Sequence, residues 1–151
     1  MGVSLGYAAL QPVSREVQTL VKRAADELCR EREWWTEPIH FFDDAACHNC
    51  LVGSSKLFRP GFDWDDDTFL VWRDVQFIIG KLAGWADSLG LTWRLSHDGH
   101  EIGIVDAKGA DDRVNLFCSN LAALGRHPTS DPRAVEAVAK ALLETYSQRD
   151  S

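Results

Sequence analysis

Apolar and polar positions alternate with two different periods along this chain. Val3, Leu5, Tyr7 and Ala9 alternate with Ser4, Gly6 and Ala8, which predicts a first strand ended by Pro12. From Ser14 onward the period lengthens. Val17, Leu20, Val21, Ala24, Ala25, Leu28 and Cys29 recur at the spacing of one helical face. They predict an amphipathic helix over 14–33, with Ser14 as its cap. Cys29 falls on the stripe and reads as a small core residue. Thr36 to Asp43 predicts a second strand, with Ile39 and Phe41 on one side and His40 and Phe42 on the other.

The longest apolar segment organises the rest. Over 68–89, Phe69, Leu70, Trp72, Val75, Phe77, Ile78, Ile79, Leu82, Trp85 and Leu89 cover most of a helix circumference. Arg73, Asp74, Gln76, Lys81, Asp87 and Ser88 are confined to a narrow stripe. A helix apolar over most of its surface is a buried one. Asp66 or Asp67 suits its cap, and Gly90 suits the left-handed residue that ends it. A hairpin follows, with strands 91–96 and 101–106 flanking Asp98-Gly99. That dipeptide favours a two-residue turn in which both residues take positive φ. A regular register then places His97 opposite His100, Leu95 opposite Ile102 and Trp93 opposite Ile104, giving one apolar face to pack on the long helix.

Two more helices complete the pattern. Val114, Phe117, Cys118, Leu121 and Leu124 share one face of a helix over 112–124, capped by Asp112, although Val114 and Leu116 also alternate as in a strand over 113–118. Asp131 and Pro132 start a last helix over 131–147, since proline at the first helical position loses no hydrogen bond. Residues 45–66 form an irregular loop. The sum is a single α+β domain over 1–151. A sheet of about four strands, the hairpin included, packs on the long helix.

Composition narrows the function. At 151 residues with a net charge of −7 and dispersed Lys and Arg, the chain lacks the basic footprint of a nucleic-acid binder. It has no apolar run long enough to span a membrane and no signal-peptide pattern, so the expectation is a cytoplasmic protein whose four cysteines stay reduced. The acidic balance keeps such a domain soluble and can steer a basic protein partner.

Three groups of residues could carry chemistry. Cys47 and Cys50 have CxxC spacing, and His97 and His100 project from one face of the hairpin; together they would make a Cys₂His₂ zinc site. The same cysteines could form a redox pair, although the sequence around them lacks a thioredoxin-like context. The paired histidines could respond to pH. Asp63, Asp65, Asp66 and Asp67 are better explained by the helix start than by a cation, because their spacing does not match a calcium loop. Trp34, Trp35, Arg59, Phe62 and Trp64 come from irregular stretches and are residue types enriched in binding hot spots. No nucleophile elbow, phosphate loop, dinucleotide fingerprint or HExxH motif is present, so no catalytic residue is assigned. The expectation is a non-catalytic interaction or accessory domain that engages a partner protein or its own copy. In size, acidity and architecture it resembles small toxin-immunity and accessory domains as a general type. A zinc-binding domain or metalloenzyme is the alternative.

Overall fold

A computed structural model describes residues 4–43, 47–58 and 68–124 of the chain. The element order is β1 (Ser4–Ala9), α1 (Arg15–Glu31), β2 (Val52–Lys56), α2 (Thr68–Leu89), β3 (Trp93–His97), β4 (His100–Asp106), β5 (Gly109–Ala110) and α3 (Asp112–Leu124). The strands form one antiparallel sheet in the order β2-β1-β3-β4-β5. Among the described residues this is an α+β arrangement of three helices and a five-stranded sheet. The predicted helix over 131–147 lies outside the described residues, as do the acidic cluster and the cap of α2.

Alternation decides which face of the sheet is buried. Leu5 and Tyr7 of β1, Gly53 and Ser55 of β2, and Trp93, Leu95 and His97 of β3 are buried. Gly6, Ala8, Ser54, Arg94 and Ser96 lie between them and face the other way, partly or fully exposed. The buried face shares one core with the apolar sides of the helices. Each large side chain fully buried in it stabilises the fold by roughly 1.5–3 kcal/mol.

α2 has the predicted boundaries but a narrower buried face. Val71, Asp74, Val75, Ile78, Ile79, Leu82 and Ala86 form one stripe. Trp72, Phe77, Trp85 and Leu89 flank it half-buried, and Phe69 is 64% exposed. The sheet and α3 enclose one side of α2 rather than its whole circumference. Trp93 binds this helix to the sheet, its indole N–H donating to the Leu82 carbonyl at 2.9 Å.

Asp74 departs most from the pattern. It belongs to the polar stripe of α2, yet its side chain is fully buried. One carboxylate oxygen accepts from Arg32 Nη2 at 2.6 Å, and the other accepts the backbone N–H groups of Trp35 (2.6 Å) and Thr36 (3.1 Å). The Arg32 guanidinium in turn lies over the rings of Phe77 (3.8 Å) and Trp34 (4.6 Å). One α2 carboxylate thus holds the chain leaving α1 through both charge and backbone.

The hairpin turn forms as read. Asp98 and Gly99 have φ of 49° and 86°, and the Asp98 carboxylate accepts the Ser4 N–H at 2.9 Å, fixing the tip to β1. The register matches at the tip, with Ser96 opposite Glu101 and His97 opposite His100. A bulge between Leu95 and Ser96 then shifts it, so Trp93 faces Val105 and Arg94 faces Ile104. Ile102 and Val105 are therefore both buried, while Ile104 is only partly so. An extra residue in one strand changes the side-chain face by one position, which simple alternation cannot anticipate.

Three further expectations are corrected. The second strand forms only one isolated bridge, Phe41 to Gly53, while the regular strand is Val52–Lys56 inside the stretch read as loop. That strand is Val-Gly-Ser-Ser-Lys, with too little apolar character to be recognised by alternation. Gly53 is needed there because a Cβ would collide with the His40 carbonyl. Cys29 is exposed rather than buried, because the buried face of α1 is limited to Gln18, Val21 and Ala25. The helix over 112–124 forms as expected, as α3, but its cap is Asp111 and not Asp112: one Asp111 oxygen accepts the Val114 N–H and the other the Ile104 N–H.

Buried polar groups tie segment 37–42 to the sheet. The Tyr7 hydroxyl accepts the His40 N–H at 2.9 Å and lies 3.0 Å from the Ser55 hydroxyl, which donates to the Pro38 carbonyl. Burial pushes the Tyr7 phenol up to about 12. His97 packs its ring against Phe117, with centroids 5.6 Å apart. Burial lowers its pKa; the Asp98 charge opposes this, and the His100 charge adds to it.

Two outcomes follow. Removing one partner from a buried ion pair typically costs about 3–5 kcal/mol, so Asp74→Ala should lower unfolding free energy by about that much in denaturant titration. An Arg32→Met variant, which leaves the fully buried Asp74 carboxylate without its counter-charge, should cost at least as much. For His97, the unfolded chain takes up a proton as pH falls through the ordinary histidine value while the folded chain resists it. Stability should therefore be complete above about pH 6.5 and decline below it. Thermal unfolding between pH 7.5 and 5.5 should show a smaller loss for His97→Asn than for the native chain.

Candidate functional site

Two concave regions are of interest, on different parts of the molecule. The first is a trough of about 620 Å³ across β2, β1, β3 and β4. Gly6, Ala8 and Ser96 line it with small side chains, and Val52, Arg94 and Glu101 also contribute. Small residues on alternate positions let another molecule approach the strands closely. Val52 is 40% exposed, and Arg94 stands out from β3. Glu101 is oriented by Arg113, which reaches its carboxylate at 3.4 Å and its carbonyl at 3.0 Å. No motif announces this surface. Its only signal in the sequence is the run of small residues opposite the apolar positions of β1.

The second is a cleft of about 290 Å³ between the first turns of α1 and the segment bearing Cys47 and Cys50. These cysteines form a disulfide, which corrects the expectation that all four stay reduced. Gln18 fixes their segment in place: its buried side-chain amide donates to the carbonyls of Val13 (2.9 Å) and His48 (2.8 Å). The backbone bond from Val13 N–H to Asn49 O at 2.8 Å adds a further tie. Arg15 and Lys22 bring positive charge to the cleft. Lys22 also meets Asp43 at 2.6 Å, and this hydrogen bond and charge lower the Asp43 pKa. The other two cysteines lie outside the cleft. Cys29 is exposed, and Cys118 is buried, its thiol pushed up to about 11 by desolvation.

The four residues of the predicted zinc site are not brought together. Ala9 donates to the Leu51 carbonyl, so the Cys47–Cys50 segment lies beyond one end of β1. His97 pairs with Leu5 near the other end. The four residue steps from Leu5 to Ala9 correspond to about 13 Å of strand. Among the described residues no group of three or more His, Cys, Asp or Glu side chains is placed to hold a metal. His97 and His100 do pair across the hairpin, but His97 points into the core and His100 is exposed.

The predicted hot-spot residues also divide. Trp34 is buried, with its indole N–H on the Leu28 carbonyl and its ring edge-on to Phe77. Trp35 is half-buried and held by Asp74 through its backbone. The Trp34 ring thus serves the contact between the end of α1 and α2 rather than a projecting aromatic patch. Arg59, Phe62 and Trp64 lie outside the described residues.

Among the described residues no helix is long and apolar enough to cross a membrane. No protein-family model matches this chain, and it has no match among curated proteins or solved structures.

Proposed function

We propose that this chain is a non-catalytic protein-interaction domain that binds through the exposed face of its sheet. The observation that carries this reading is the trough over β2, β1, β3 and β4, which no described helix covers. The small side chain of Ala8 leaves room for a partner's side chain, and the Ser96 hydroxyl fills the space over Gly6. Val52 offers apolar contact, and Arg94 and the Arg113-held Glu101 supply polar contacts. Such a mixture of exposed apolar surface with a polar rim is how partner-binding patches are built. The partner favoured by the net charge of −7 is a protein of net positive charge, attracted over long range.

Substitution of this face separates binding from folding. Ala8→Arg and Val52→Arg should each weaken capture of a basic partner by at least tenfold. Unfolding temperature should hardly change, because exposed substitutions usually cost within about 0.5 kcal/mol. Leu20→Arg, on the exposed side of α1, should leave binding intact. Affinity should also fall as salt is raised. Equal binding by all three variants, or a chain that remains monomeric and retains no partner at low salt, overturns this reading.

A further inference from the structure

The disulfide in the α1 cleft points to a chemistry separate from partner binding. We infer that Cys47 and Cys50 form a redox-active pair that exchanges disulfides with small thiol compounds carrying carboxylates. Three observations converge on it. The two sulfurs are already bonded, in a segment held by Gln18 and by the Val13–Asn49 backbone bond. Both cysteines line an open cleft, so a small molecule can reach them. Arg15 lines the same cleft and presents a cationic group suited to a carboxylate, while Lys22 there is paired with Asp43.

A structural role explains these features less well. A disulfide stabilises by restricting the unfolded chain, and the effect is smallest for the shortest loops. Cys47 and Cys50 are only three positions apart. Their segment is also already tied down by hydrogen bonds. By contrast, CxxC spacing beside positive charge favours the thiolate form on which exchange depends.

The exchange balances as two substitutions at sulfur. An incoming thiolate attacks one cysteine sulfur, forming a mixed disulfide and breaking the Cys47–Cys50 bond. The other cysteine sulfur leaves as a thiolate and takes a proton from solvent. A second substrate thiolate then attacks the substrate sulfur of the mixed disulfide, releasing the substrate disulfide and the second cysteine thiolate. Two substrate thiols are oxidised by two electrons in all, and the Cys47–Cys50 pair is reduced. The reverse sequence reoxidises the pair at the expense of a substrate disulfide.

The test uses the full chain equilibrated with glutathione buffers spanning mostly reduced to mostly oxidised. Samples are quenched in acid, and free thiols are counted by alkylation and mass. The pair should interconvert reversibly across the series, and glutathione should react at least fivefold faster than the positively charged thiol cysteamine. Arg15→Glu should erase that preference. A pair that stays oxidised in fully reduced glutathione, or that never re-forms once reduced, overturns the redox assignment. Reversible exchange with cysteamine as fast as glutathione overturns the ligand class alone. The Cys47→Ser/Cys50→Ser variant should lose exchange while keeping native circular dichroism; its unfolding would identify the bridge as a staple and overturn the inference.

Discussion

A fully buried carboxylate is expensive unless both its oxygens find donors, and those of Asp74 share three. Two of the donors are backbone amides of the segment leaving α1, and the third is a guanidinium stacked on two aromatic rings. Other features depend on this contact. It sets where Trp34 enters the core against Phe77. It also sets the path of the chain toward Pro38 and His40, whose backbone groups bond Ser55 and Tyr7. Through Asp74, the long helix positions residues that are distant from it in sequence and that line β2.

Strong periodicity was enough to locate α1, α2, the hairpin turn and α3. These elements have side chains whose preferred environment differs sharply between faces, so the solvent alone imposes the pattern. Where the energy comes from hydrogen bonds, the pattern is silent. Val52–Lys56 is held between β1 and segment 37–42 by its backbone, and its small side chains carry no apolar signal. Asp74 and Gln18 look like surface residues until their partners are known, because a satisfied buried polar group and an exposed one share the same letter. The bulge after Leu95 belongs to the same class: nothing in the local composition marks the extra residue.

The sites were legible to different degrees. CxxC spacing drew attention to Cys47 and Cys50, but pairing them with His97 and His100 required knowing which ends of the strands they occupy. β1 separates them. Trp34 is a packing residue, since a large aromatic beside a helix end is as useful inside a domain as on its surface. The trough was missed because it is made by the absence of bulk.

The segment from Glu37 to Phe42 has a further consequence. Its backbone bonds Lys56, Val52 and Ser54 along the outer side of β2, although it is not itself a regular strand. At the opposite border of the sheet, β5 is only two residues long. Among the described residues the strap occupies the outer side of β2, so growth of the sheet by adding a foreign strand is disfavoured on that side. Sheet proteins with open borders are prone to stacking into fibres, and along β2 an irregular strap blunts that hazard.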